Sequence, residues 1–196
     1  MDTSTHARRT LGRVDAAFSA LERAEMAALG LLDAEGRILE LPKRPAQVER
    51  GLITSHDVLN EAYQYALPSS FSRGLKVTIE PGQRILWLSG TASIDDHGVT
   101  VHAGDFRAQL WRTYRNLTRL LESEGATWHD VVRTSCYLRD IERDYDDFNR
   151  VRTLFFRCLQ VDPLPASTGI QARLCRSDLL IEIELFAVVG RAEASR

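Results

Sequence analysis

Apolar side chains crowd the C-terminal part of the sequence, where Leu179, Leu180, Ile181, Ile183, Leu185, Phe186, Val188 and Val189 surround two carboxylates, Glu182 and Glu184. Residues 165–189 read as two strands joined by one polar turn. A period of two puts both carboxylates on one face. They either point to solvent or sit in a pocket, where an ionised group is costly to hold.

Upstream, residues 75–79 alternate, residues 80–83 make a turn and residues 84–88 resume the alternation, which predicts a hairpin. Phe106, Leu110, Tyr114, Leu117 and Leu121 recur at steps of three and four behind Asp105, predicting a capped helix that runs to Gly125. Residues 128–138 form a strand with Val132, Thr134, Cys136 and Leu138 on one face. A second helix buries Tyr145, Phe148, Val151 or Arg152, Phe155 and Leu159 before Pro163. Near the start, Val14, Phe18, Leu21 and Met26 predict a helix over 13–30, followed by a turn at 33–36 and a strand at 37–41. Residues 42–55 read as a surface connection and 55–62 as a short helix capped by Ser55 or Asp57. Hairpin, helix, strand, helix and hairpin in succession give an α+β class with the helices on one sheet face.

A chain of 196 residues with 44% hydrophobic and 27% charged residues is enough for one good core. Its net charge of −2, with both signs interleaved, supplies no basic stripe, so no nucleic-acid partner is expected. Three cysteines, Cys136, Cys158 and Cys175, without C-x-x-C spacing fit a reducing compartment better than a disulfide framework. No apolar run approaches the ~20 residues of a membrane span, so no membrane partner is expected and the location is read as cytoplasmic. His97 and His102 lack a metal-ligand spacing, and no nucleotide or hydrolase motif is present. A reaction without metal or cofactor is the expectation.

Between Phe71 and Val189 the sequence carries, in order, Phe71-Ser72-Arg73-Gly74, Leu88-Ser89-Gly90, Asp105 with Gln109, Asn116-Leu117, Glu124-Gly125-Ala126, Asp130-Val131-Val132, Tyr137-Leu138-Arg139-Asp140, Phe148-Asn149 and Ile181-Glu182-Ile183-Glu184. This series resembles the Rid superfamily, also called YjgF or endoribonuclease L-PSP, the reactive intermediate deaminases. The resemblance implies a chorismate-mutase-like α+β fold, a mixed sheet with two helices on one face, built into a homotrimer with ligand clefts between subunits. It divides the chain into an N-terminal extension at 1–70 that packs on the core or covers a cleft mouth, a Rid-like domain at 71–190 and a tail at 191–196. An oligomer also follows from the pattern itself, because the sheet face opposite the helices is otherwise exposed and partly apolar.

The resemblance also marks a departure. Imine-deaminating relatives carry Pro-Ala-Arg-Ser, whose arginine clamps a substrate carboxylate with two hydrogen bonds. Here Pro165-Ala166 is followed by Ser167-Thr168-Gly169, and a serine hydroxyl brings no charge. Phe71 stands where a tyrosine is usual. Residues 89–94, 167–170 and 175–182 are similar to the C-terminal half of chorismatases, which hydrolyse chorismate. There the glutamate matching Glu182 is the acid, and a cysteine at the place of Cys175 occurs in the branch making hydroxybenzoate.

Both resemblances imply a small-molecule carboxylate with a C=N or enol-ether C=C bond that must be protonated and take up water. A glutamate buried between apolar strands has its pKa raised by desolvation and suits that task, which makes Glu182 the catalytic candidate. Its plainer alternative is a solvated strand residue; Glu184 is expected to be structural. Ser89 and Gly90 end a strand and either present a hydroxyl and an N–H to substrate or simply turn the chain. Arg173 shares a strand face with Ser167, Gly169 and Gln171 by parity and is the nearest replacement for the clamp; Arg73 is another, and each is otherwise a surface arginine. Phe71, Asn149, Thr168 and Cys175 complete the binding candidates, with Cys175 equally readable as a small apolar residue. Three functions remain open: hydrolysis or hydration of a small unsaturated carboxylate, 2-imino acid or enamino acid deamination, and non-catalytic binding of a small ligand.

Overall fold

In the computed structural model, the residues described are 10–13, 19–40, 50–66, 72–80 and 83–190. The chain forms two compact units, Met1–Ala46 and Gln47–Arg196.

In the first unit, β1 (Thr10–Arg13) pairs antiparallel with β2 (Arg37–Leu39), with α1 (Ala20–Ala28) between them in sequence. Of the helix expected over 13–30, the described residues show Ala20–Ala28, opened by a capping box, and residues 14–18 lie outside the described residues. Ser19 Oγ accepts from the Glu22 N–H at 3.2 Å, and the Glu22 carboxylate accepts from the Ser19 N–H at 2.6 Å. The predicted turn at 33–36 forms around Asp33, whose Oδ1 accepts from the N–H groups of Glu35 and Arg37.

The second unit is a six-stranded mixed sheet in the order β3-β4-β5-β8-β6-β7. Its strands are β3 (Arg50–Leu52), β4 (Gly74–Glu80), β5 (Gln83–Ala92), β6 (Val131–Leu138), β7 (Ala166–Gln171) and β8 (Ile181–Val189). The hairpin of β4 and β5 is as expected. Residues 165–189, however, are not a hairpin. β6 lies between β7 and β8, parallel to the first and antiparallel to the second. Residues 172–180 therefore cross over the end of β6 instead of turning tightly. Two side chains hold this crossing: Gln109 Nε2 donates to the Asp178 carbonyl and Gln109 Oε1 accepts from the Leu180 N–H, each at 2.8 Å, while Arg139 donates to the carbonyls of Leu179 and Arg176.

Two further expectations change. Residues 50–52, read as connection, form β3 on the edge of the sheet beside β4. Residues 55–62 do not form a helix: Ser55 Oγ bonds to Asp57 and the Ser55 carbonyl accepts from the N–H groups of Val58 and Leu59, closing a turn. A 3-10 turn follows at Ala62–Gln64.

α2 (Phe106–Glu122) and α3 (Ile141–Leu159) cover one sheet face. Asp105 caps α2 by accepting from the Ala108 N–H at 3.0 Å, and Phe106, Leu110, Tyr114, Leu117 and Leu121 are all buried, as the spacing predicts. In α3 the buried stripe runs through Asp144, Phe148, Val151 and Phe156, leaving Tyr145 and Leu159 at the surface. Phe155 stacks on Tyr114 at a centroid distance of 4.2 Å, with Phe156 buried beside it and Leu159 exposed. The strand predicted over 128–138 opens as a 3-10 turn at Trp128–Asp130, and a register slip between Val131 and Arg133 exposes Val132 while Val131 is buried.

The opposite sheet face is open in the single chain. Register places Leu52, Leu75, Trp87 and Phe186 in one row across β3, β4, β5 and β8. Ile79, Trp87 and Val188 on this face are exposed. No helix among the described residues is long and apolar enough to cross a membrane.

Candidate active site

The site forms where β5 stops pairing regularly with β8. The register slips between Leu88 and Thr91, so Ser89 and Gly90 bulge out of the ladder. Ser89 fixes the bulge: its N–H donates to the Arg73 carbonyl at 3.0 Å and its hydroxyl to the Ser72 carbonyl at 2.8 Å. The Ser89 hydroxyl and N–H are thus both engaged within the chain. Asn116, buried on α2, donates to the carbonyls of Ala92 and Ile94, each at 3.0 Å, and so holds the end of β5 in place.

The bulge sets Gly90 directly against Glu182. A Cβ built on Gly90 would stand 1.8 Å from Glu182 Oε1, so only glycine leaves room for the carboxyl group in this pose. Glu182 pairs across the sheet with Ala92 and Tyr137 and lies on the open face, as the period of two requires. Burial pushes its carboxyl above the ordinary carboxylate value; nearby Arg73 opposes this and the charge of Glu184 adds to it. Glu184 Oε1 accepts from the Tyr137 hydroxyl at 3.0 Å, a fixed structural role that matches the expectation.

Around this carboxyl lies a cavity of about 400 Å³ lined by Arg73, Ser89, Gly90, Cys175, Glu182 and Glu184, with walls from Ala62, Tyr65, Ala92, Ile94, Arg176 and Leu179. Arg73 is buried, not a surface arginine. Its Nε donates to the Asn60 carbonyl at 3.0 Å, its N–H to Glu61 at 3.0 Å, and its guanidinium lies 5.2 Å from the Tyr65 ring centroid. Five predicted site residues thus meet in one place: Arg73, Ser89, Gly90, Cys175 and Glu182.

The other predicted residues stand elsewhere. Ser167 pairs with Thr134 on the helix-facing side of the sheet, where its Oγ accepts from Thr134 Oγ1 at 3.0 Å and from Arg152 at 3.2 Å. Asn149 accepts from Arg152 at 2.6 Å, and Gly169 pairs with Cys136 on the same side. Thr168 accepts from Arg133 at 3.2 Å. Arg173 cannot replace a clamp by strand parity, because β7 ends at Gln171 and Arg173 is exposed beyond it. Phe71 lies outside the described residues.

Sequence reasoning missed Tyr65 and Arg176. The Tyr65 hydroxyl is buried and has no hydrogen-bond partner among the described residues, although its ring lines the cavity. Its ring packs on Gly98, whose φ is +77° and where an added Cβ would stand 2.9 Å from Tyr65 Cδ2. Arg176 donates to the Gly98 carbonyl and ties the crossing segment to the Asp95–Gly98 turn. The one signal for Tyr65 in the sequence is an aromatic residue in a polar connection, which separates it from no surface tyrosine.

A mixed sheet under two helices is the Rid-type fold, and solved structures agree. E. coli TdcF with bound serine is 18% identical, covers 71% of this chain and 99% of its own and gives a TM-score of 0.58. The E. coli YjgF product is 22% identical, with coverage of 70% and 98% and a TM-score of 0.56. The endoribonuclease L-PSP sequence model matches residues 69–189, and the protein belongs to this family within the YjgF/Rid superfamily. Among relatives, the 3-aminoacrylate deaminase RutC of Acinetobacter baylyi is 31% identical over 105 residues, 54% of this chain and 79% of its own length. A RutC family protein of Pyrococcus abyssi is 28% identical over 117 residues, 60% and 84% of the two chains.

Proposed function

We propose that this protein is a Rid-type enzyme that hydrolyses a small enamine or imine carboxylate and releases ammonia, with Glu182 as its general acid and base. The observation that carries this reading is a carboxyl raised above its ordinary pKa by burial and seated against Gly90 in a cavity with Arg73. The relative named as a 3-aminoacrylate deaminase supports the substrate class.

The steps balance around one carboxyl group. Protonated Glu182 gives its proton to the enamine carbon next to the carboxylate, and the C=C electrons form that C–H bond as nitrogen forms an iminium. Ionised Glu182 then takes a proton from water while the water oxygen bonds to the iminium carbon. In the resulting carbinolamine, Glu182 returns that proton to nitrogen. The C–N bond breaks with its electron pair on ammonia, and the hydroxyl proton passes to Glu182 as the carbonyl forms. Burial raises the Glu182 carboxyl above its ordinary value, which makes it a better proton donor-acceptor for these steps than a solvated carboxylate. Arg73 supplies a cationic wall to the same cavity and favours a carboxylate ligand.

The open apolar row of Leu52, Leu75, Trp87 and Phe186 supports a homotrimer in which this face is covered, the arrangement the family resemblance implies. A second reading, enol-ether hydrolysis of the chorismatase type, rests on Cys175 lining the cavity with Glu182. One experiment separates the readings: purified protein is given 3-aminoacrylate or a 2-imino acid generated in situ, and separately chorismate. Ammonia release above the uncatalysed rate is the expected result. Pyruvate from chorismate without ammonia release would replace this reading by the second, and inertness toward all three would leave a binding protein.

A further inference from the structure

We propose that Tyr137 and Glu184 are positioning residues for the proton-carrying carboxyl group: the Tyr137 hydroxyl holds the Glu184 carboxylate in the Glu182 cavity as a fixed negative charge, which keeps Glu182 in its protonated, donating form. This inference rests on the reading of Glu182 as the acid of the site and gives a second carboxylate a different task.

Strand register builds the arrangement. β6 and β8 run antiparallel, with Tyr137 opposite Glu182 and Ser135 opposite Glu184. Period two puts both carboxylates on one face, so Tyr137 is the direct neighbour of Glu182 and the diagonal neighbour of Glu184. Diagonal neighbours stand about 7–8 Å apart, a span that an aromatic side chain bridges. Tyr137 bridges it here, its hydroxyl donating to Glu184 Oε1 at 3.0 Å. On its other side Glu184 faces the Ser89–Gly90 bulge, where the ladder between β5 and β8 is interrupted and β5 gives it no paired residue. Glu184 lines the same cavity as Glu182. Among the described residues no ion pair includes Glu184, in contrast to Glu124, which holds both Lys76 and Arg84.

Two carboxylates in one cavity divide the work when their surroundings differ. A negative charge close to a carboxyl group disfavours its ionisation. Burial is the largest influence raising the Glu182 carboxyl; Arg73 opposes it, and the charge of Glu184 acts with burial. The other titratable groups on the cavity wall are Tyr65, Cys175 and Arg176, and Arg176 is committed to the Gly98 carbonyl. Glu61 meets the site only through the Arg73 N–H. Arg73 and Glu184 thus act on Glu182 in opposite directions, and Tyr137 fixes where the second of them sits.

The test is a carbon-13 NMR titration of the full chain labelled at its glutamate carboxyl groups, with the Glu182 signal identified by its loss in Glu182→Gln. Glu184→Gln keeps an amide oxygen for the Tyr137 hydroxyl and removes the charge, while Tyr137→Phe removes the hydroxyl and leaves the charge unfixed. Both are expected to move the Glu182 midpoint to lower pH, Glu184→Gln further than Tyr137→Phe. The high-pH limb of kcat/KM for ammonia release is expected to move the same way in both variants, while the rate on the low-pH side stays near that of the parent, because only the protonated fraction is lost. A Glu182 midpoint in Glu184→Gln at or above that of the parent overturns the proposal, as does an equal loss of rate at every pH with the midpoint unmoved. An unmoved midpoint in Tyr137→Phe overturns the part given to Tyr137. The titration needs no substrate, so a lowered midpoint in a protein that releases no ammonia supports the pair and counts against deamination instead. Should Glu184→Gln fail to fold, Tyr137→Phe still decides.

Discussion

Replacing Gly90 by alanine separates the fold from the chemistry more sharply than any other single change. The new methyl carbon would stand 1.8 Å from Glu182 Oε1, 2.8 Å from Cδ and 3.1 Å from Cγ. Ordinary non-bonded carbon contacts lie at about 3.5–4.0 Å, so the carboxyl oxygen must retreat by about 1.5 Å or more. It is the far end of a flexible side chain, and Gly90 is not in the left-handed region, so rotation of Glu182 relieves the clash without moving the backbone. The expected stability change is within about 1 kcal/mol, because alanine also restricts the unfolded chain. Displacing a reacting group by about 1 Å costs on the order of 100-fold in rate. Gly90→Ala is therefore expected to keep its thermal unfolding midpoint and to lose about 100-fold in kcat/KM for ammonia release from an in situ enamine. Activity within about threefold of the parent would refute the placement of the Glu182 carboxyl against Gly90 as the catalytic pose. Global unfolding would refute the claim that the glycine serves the site alone.

Other consequences follow from the same geometry. Burial raises the folded-state pKa of Glu182, so its contribution to stability is full below the ordinary value of 4.5 and is lost as pH rises through the raised value. Glu182→Gln is thus expected to gain stability relative to the parent in thermal unfolding as pH rises above the ordinary value of 4.5; a pH-independent difference contradicts it. Glu124 is buried and accepts from Lys76 and Arg84 at 2.8–2.9 Å. Glu124→Gln leaves two partly exposed cations unpaired and is expected to cost about 2 kcal/mol in denaturant unfolding, where less than about 0.5 kcal/mol would count against it. Trp87→Glu puts a charge in the apolar row of the open face; in sedimentation the parent is expected to run as the proposed trimer and the variant as a monomer, and a variant that sediments like the parent removes that face from the interface.

Legibility in the sequence followed the range of the interactions. α2 was readable because Asp105, the stripe from Phe106 to Leu121 and the left-handed Gly125 are local signals that agree. The parity of Glu182 and Glu184 held because period two needs no knowledge of neighbours. Strand order was not legible: residues 165–189 look like a hairpin, and only the insertion of β6 between β7 and β8 separates Ser167 from Glu182. The same long-range pairing took Ser167, Asn149 and Gly169 out of the Glu182 pocket and brought Arg73 into it. Arg152 was half seen, as an alternative to Val151 in the buried stripe, but its bond to Ser167 joins residues 15 apart across a helix and a strand. Tyr65 had no local pattern, since its burial depends on a close approach to Gly98.

The central claim, that Glu182 carries protons in a deamination, is tested most directly by the Glu182→Gln variant, which keeps the shape of the side chain and removes its titrating proton. With an enamine or 2-imino acid generated in situ, the parent is expected to release ammonia above the uncatalysed rate, and the folded variant to lose about 100-fold or more of kcat/KM. A Glu182→Gln protein that releases ammonia as fast as the parent would contradict the account.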